Sequence, residues 1–339
     1  MHKVKIGNIT VYGGKKVFQK LHVVAMPNGI ELGIPLLIVN GKNDGPTLLI
    51  TGGVHGDEFE GPQAIIRAAR KISPEELKGT FIGAPMLNPL AFFAKISSDK
   101  AGTGVSSRRE SPIDLRNLSD EFPGSPDGTI TQRIAYVVSE TLVDVADYVI
   151  DLHSGGDWGT SIPMAGYLDV PGQLGKKSFE IASAFPIETM WKLTTPNNNE
   201  FLKKPYGQLG ICLKKGKPFV CCEIWGEARC LERYVQTYVT GITNVMKHLG
   251  MLDGKTENIP KSRLYIEPET YIYSSVGGFM RPMVETGNKI SKGETLALIE
   301  DIYGETLDEL KSPFDGIVVG IRTRPVIWPG EKAFLVSQI

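Results

Sequence analysis

His55 and Glu58 stand three residues apart in GGVHGDEFEGP, directly after the apolar run LLIT. A second histidine, His153, closes another apolar run in ADYVIDLHSGG. Two imidazoles and one carboxylate are the ligand set of a hydrolytic zinc site whose fourth position is left to water. Zinc suits this mixture because it is borderline soft and takes nitrogen and oxygen ligands without demanding a rigid geometry. HxxE by itself is a common spacing. What singles out this pair and its distant partner is that both histidines end strand-like runs and both are framed by glycines: Gly52, Gly53 and Gly56 around one, Gly155 and Gly156 after the other. Such glycines permit tight turns and close approach of a substrate. Asp57 and Glu60 compete with Glu58 as ligand, but a spacing of three residues reaches across one turn more easily than two. Both are expected to be solvated acids. His2, His22 and His248 have no such setting and are expected at the surface or in packing.

A hydrolytic metal site also needs a proton acceptor for the attacking water. KPFVCCEIWGEARC places Glu223 at the end of a third apolar run, with Glu227 in the following loop as its rival. In such sites the carboxylate takes the proton from water and later delivers it to the leaving amine, while the ion polarises the scissile carbonyl.

These residues must be brought together by the elements that carry them. From about residue 45 to 250 strand-like runs alternate with amphipathic ones. PTLLITGG is followed by GPQAIIRAARKI, where Ala64, Ile65, Ala68, Ala69 and Ile72 keep helical spacing. GTFIGAPML, DYVIDLHS and KPFVCCEIW read as further strands; TITQRIAYVVSETLVDVA and YVQTYVTGITNVMKHLG read as helices, the latter ended by Gly250. Alternation of this kind predicts an α/β sheet with helices on both faces and chemistry at its strand ends. The stretch Asn88 to Pro126, rich in Ser, Gly, Pro and Asp, reads as a long loop of the functional sort. After about residue 262 short glycine-punctuated strands predict a small all-β domain, spanning 262–339, joined by a polar linker to a catalytic domain of residues 1–255 whose first 45 residues are β-rich.

Bulk properties narrow the classes of function. At 339 residues the chain exceeds what one core usually serves. With 37 basic and 38 acidic side chains its net charge is −1, which gives no global attraction to nucleic acid or anionic membrane. No apolar run is long enough to span a bilayer, since IAYVVSETLVDVADYVI carries Glu140, Asp144 and Asp147. MHKVKIGNITVYGG alternates like a strand and lacks a secretory signal pattern, so a cytoplasmic protein is expected. Cys212, Cys221, Cys222 and Cys230 form no CxxC pair and are expected as buried thiols. There is no GxSxG elbow, so Ser154 reads as a turn former, and no GxxxxGK[ST] loop or dinucleotide fingerprint appears.

GGVHGDEFEGP, NPLAFF, RRESPIDLRNLSDEFPG, DYVIDLHSGG and VCCEIWG, in that order, resemble the motifs of the succinylglutamate desuccinylase/aspartoacylase family, a branch of the zinc-carboxypeptidase-like hydrolases. The resemblance spans residues 52 to 226. It implies a three-layer α/β/α domain with a mixed sheet, one zinc ion on His55, Glu58 and His153, and Glu223 as general acid/base. It also implies hydrolysis of small N-acylated amino compounds to a carboxylate and an amine. By resemblance Arg109, with Arg108 as the adjacent alternative, holds the developing oxyanion, a task that suits a permanently charged planar donor. Asn117 would orient a histidine ligand from behind. Family analogy points to a homo-oligomer, on association alone.

One segment departs from the family. Its members typically read NLNRxFPG, whereas this chain has NLSDEFPG, so Ser119 and Asp120 replace the Asn and Arg that grip a substrate carboxylate. An anion in place of a cation reverses the preferred charge and favours a neutral or cationic substrate end. Arg116, turned inward, would restore the lost charge. The C-terminal segment resembles a lipoyl/biotinyl-type β barrel, but the hairpin DIYGETLDEL has no lysine to modify and Lys311 falls beyond it, so a structural or access-shaping role is expected. Two alternatives stay open: a metallocarboxypeptidase acting on short peptides, which loss of the carboxylate grip disfavours, and an inactive metal-binding interaction protein.

Overall fold

The computed structural model describes residues 3–93, 109–193, 207–267 and 269–339. His2 and Arg108 lie outside the described residues. The centre of the molecule is a nine-stranded sheet in the order Leu264–Ile266, Thr189–Leu193, Met164–Leu168, Phe219–Glu223, Tyr148–Leu152, Asn43–Gly52, Lys78–Ala84, Glu31–Asn40 and Lys15–Ala25. Asn43–Gly52 runs parallel to both neighbours, Lys78–Ala84 and Tyr148–Leu152, and Phe219–Glu223 is parallel to Tyr148–Leu152. Antiparallel pairs flank this parallel centre, so the sheet is mixed.

The inner strands are apolar on both faces because helices cover both. Leu48, Ile50, Ile150 and Leu152 meet the helices Glu60–Lys71, Gln173–Ser183 and Glu232–His248. Their alternating neighbours Leu49 and Val149 meet the helical stretch from Ile130 and the helix Gly207–Lys214 on the other side. The two-residue period of a strand sends successive side chains to opposite layers, which yields an α/β/α sandwich. Ile65, fully buried on the helix Glu60–Lys71, illustrates the energetics: truncation to Ala would cost about 2–5 kcal/mol.

The C-terminal residues form two antiparallel sheets over one core that includes Met280, Leu296, Ile299, Val318, Phe334 and Val336. This unit is sewn onto the α/β/α layers. Gly159–Ser161 pairs with Gly316–Arg322, and Met164, Ile266, Ile317, Val319 and Leu335 share an apolar cluster. The strand Leu264–Ile266 lies beyond residue 262 yet pairs parallel with Thr189–Leu193 as an edge of the large sheet. Three apolar residues are too short a run for periodicity to tell which sheet they join. All four cysteines are unpaired; Cys212 and Cys222 are buried, but Cys230 is exposed.

Candidate active site

Three neighbouring parallel strands end at one rim. Thr51 is level with Asp151, which is level with Cys221; Gly52, Leu152 and Cys222 follow in the next row. His55, His153 and Glu223 therefore emerge side by side from the carboxyl ends of Asn43–Gly52, Tyr148–Leu152 and Phe219–Glu223. The turn after the first strand depends on glycine: Gly53 has φ +63°, and a Cβ there would sit 2.7 Å from the Phe92 ring. At Gly156, φ is +54° and a Cβ would lie 2.4 Å from an Asp57 oxygen.

Nδ1 of His55 is 2.6 Å from one Glu58 oxygen, and Nδ1 of His153 is 3.0 Å from the other. One donor atom from each of these three buried residues lies within 4.8 Å of the rest, so His55, Glu58 and His153 could hold a metal ion. Their outward atoms are occupied. Nε2 of His153 meets Asp151 Oδ2 at 2.8 Å, and Nε2 of His55 meets Ser119 Oγ at 3.2 Å. Fixing the far nitrogen leaves the near one free to bind, the usual orientation device of metal-ligating histidines. Thr51 donates to the other oxygen of Asp151 at 2.7 Å, and Gln208 donates to Thr51 at 2.9 Å, which continues the support outward. Tyr238 donates its hydroxyl proton to the His153 carbonyl at 2.6 Å.

The charges are strongly coupled. Burial opposes ionisation of Glu58, but the two imidazoles outweigh it and hold the carboxyl well below its usual range. Burial likewise opposes protonation of His153, and the flanking carboxylates of Asp151 and Glu58 overcome it. Glu223 is different: removal from water, reinforced by the charges of Glu58 and Glu269 against His153 and Arg109, pushes it up to about 8.

Arg109 lies 3.4 Å from Glu58 and lines the same cavity as His55, His153, Ser119, Asp120 and Glu223, a space of about 290 Å³. Arg116 and Asn117 do not line it. Arg116 pairs with Glu121 at 2.7 Å, and Asn117 caps a short 3₁₀ turn by accepting from the Ser119 amide. The group behind His55 is thus Ser119, and the one behind His153 is Asp151. Alternation along DLH places Asp151 and His153 on one side of the strand, a signal available in the sequence. Asp57 and Glu60 are buried, contrary to expectation. Asp57 accepts from the Asp157 amide at 2.9 Å and so ties the two ligand loops together; Glu60 accepts from the Leu231 amide at 3.4 Å. Glu227 accepts from the Trp225 indole at 3.1 Å and lines neither this cavity nor the one beside it. His22 pairs with Glu31 at the surface, and His248 is exposed.

One family model, described as the succinylglutamate desuccinylase/aspartoacylase catalytic domain, matches residues 44–249. The chain belongs to the succinylglutamate desuccinylase/aspartoacylase family. Among relatives of known activity, it is 28% identical to an N-alpha-acetyl-L-2,4-diaminobutyric acid deacetylase of Halomonas elongata, over 90% of this chain and 86% of that one. It also resembles the product-bound structure of the ectoine utilization protein EutE (DoeB) of Ruegeria pomeroyi, with a TM-score of 0.82, 28% identity and coverage of 96% and 95%. A succinylglutamate desuccinylase/aspartoacylase structure from Rhodobacter sphaeroides gives a TM-score of 0.82 at 25% identity, covering 96% and 94%. No described helix is long and apolar enough to cross a membrane.

Proposed function

We propose that this protein is a zinc-dependent, cytoplasmic deacylase that hydrolyses the amide bond of small N-acylated amino compounds. The observation that carries the reading is the convergence of His55, Glu58 and His153 beside Glu223 and Arg109 in one cavity. The donor set fits zinc: two imidazole nitrogens and a carboxylate, each braced from behind, with room left for substrate. When bound, such an ion supplies Lewis acidity, activating water and polarising a carbonyl.

The chain's own residues do the rest. Glu223, a carboxyl on the wall of the same cavity as His55 and His153, is placed to accept a proton from water and give it back to a departing amine, which suits it as general acid/base. Arg109 carries a permanent positive charge on the cavity wall, where it can hold the carbonyl oxygen as negative charge develops. Trp191, Leu193, Leu209 and Phe219 offer apolar wall for an alkyl or acyl group, while Ser119 and Asp120 set a polar, anionic end. That end disfavours an acidic acyl group and favours a neutral one such as acetyl. The Halomonas relative, named as an acetyl-removing enzyme, supports the same reading.

The test combines elemental analysis of purified protein with a panel of N-acetyl and N-succinyl amines. One zinc per chain and release of acetate are expected, with Glu223→Gln retaining the metal and losing about 10²–10⁴-fold in kcat. Full activity in that variant would overturn the role of Glu223. Absence of any acyl release by the parent would favour the metal-binding interaction protein instead.

A further inference from the structure

Beside the metal-capable cavity lies a second chamber of about 160 Å³, and the two share Arg109, Trp191 and Glu223 as common wall. Its far side is built by the C-terminal sheets, through Glu269, Tyr271, Lys332 and Leu335. Lys332 is held in place. Its ammonium sits 4.2 Å from the centre of the Trp158 ring and 4.9 Å from that of Tyr271, and its carbonyl accepts from the Trp158 indole at 3.2 Å. Glu269 lies two residues before Tyr271, a spacing that turns both side chains to one side of an extended backbone. Among the described residues neither Lys332 nor Glu269 makes a salt bridge or side-chain hydrogen bond; each feels the other only at longer range. Trp191, on the shared wall, has a buried indole nitrogen with no acceptor among the described residues. A half-buried cation and a half-buried anion lining one space without a salt bridge between them are costly unless a ligand completes them.

We infer that Lys332 and Glu269 form a subsite for the leaving amine of the substrate, Lys332 receiving its carboxylate and Glu269 its free ammonium. Such a subsite fits an N-acylated diamino acid, the class on which the Halomonas relative is named to act, with the acyl group toward Asp120 and the amine portion toward the C-terminal sheets. Glu223 stands between the two chambers, where it can deliver its proton to the departing nitrogen. This inference rests on the deacylase reading and adds what that reading lacks: a cation for the substrate carboxylate. Arg116, the expected replacement for the absent family arginine, is engaged by Glu121, and Lys332 supplies the charge from another domain.

Three N-acetyl substrates separate the contributions: Nα-acetyl-2,4-diaminobutyrate carries both groups, N-acetyl-1,3-diaminopropane lacks the carboxylate, and N-acetyl-2-aminobutyrate lacks the second amine. Lys332→Met is expected to lower kcat/KM about 10–100-fold for the two substrates with a carboxylate and to leave the diamine within about twofold. Glu269→Gln is expected to do the same for the two substrates with a free ammonium and to spare N-acetyl-2-aminobutyrate. Equal losses on all three substrates, or none, would overturn the subsite. Calorimetric titration with free 2,4-diaminobutyrate needs no turnover. Binding weakened by both variants supports the subsite even if the parent cleaves no acyl-amine, and binding unaffected by either refutes it while leaving the deacylase reading to stand on turnover.

Discussion

Oδ2 of Asp151 lies 2.8 Å from Nε2 of His153, two residues along the same strand, while Nδ1 of that ring faces Glu58. The carboxylate thereby decides which nitrogen carries the proton and which presents a lone pair to the rim. Asp151→Asn keeps the shape but weakens that preference. Metal affinity is expected to fall about 10–100-fold, measured by competition with a chromophoric chelator. Parent-like affinity would show that something other than Asp151 sets the tautomer.

The Ser119–Asp120 pair lines the cavity where the family's typical motif has Asn and Arg. Restoring that pair with Ser119→Asn and Asp120→Arg together should raise the ratio of succinyl to acetyl release by about 10-fold or more, the scale of one charge-assisted hydrogen bond. Initial rates on matched N-succinyl and N-acetyl amines give the ratio directly. An unchanged ratio would remove Asp120 from acyl selection.

Glu269 is pushed up to about 7 by its removal from water, with Lys332 opposing. A carboxyl whose folded pKa exceeds its unfolded value near 4.5 binds its proton more tightly when folded. Its stabilising contribution is complete below about pH 4.5 and is lost as pH rises through about 7. Glu269→Gln should therefore flatten the fall in Tm between pH 5 and pH 8, by calorimetry on the full chain. A parallel pair of Tm curves for parent and variant would contradict the assignment.

Gly159 joins the two units where space is least: a Cβ there would lie 2.1 Å from the Ile321 carbonyl. Gly159→Ala must push the C-terminal sheet away, at a cost of about 1–3 kcal/mol. Since Lys332 and Glu269 move with that sheet, KM should rise more than kcat falls. A variant with parent-like Tm and KM would mean that the interface yields without disturbing the chamber.

Much of the candidate site was legible in the chain itself. Apolar runs ending in His55, His153 and Glu223 announced strand termini, and parallel strands in an α/β sheet present such termini at one edge, so the donors had few places to go but together. The amphipathic helix over Ala64, Ile65, Ala68 and Ala69 followed from local spacing for the same reason. Asp57 and Glu60 read as solvated acids because composition makes an acid look so; the packing of the loops after Gly52 and Leu152 and of Leu231 brings backbone amides to them instead. Arg116 could not be resolved by sequence, because whether it turned inward depended on Glu121 being within reach. The sequence by itself determined which donor side chains stand at the strand ends, since short-range periodicity and residue type decide what a rim can carry. Tertiary structure alone decided the second chamber, because Glu223, Glu269 and Lys332 are remote in the chain and meet only through the docking of one sheet on another.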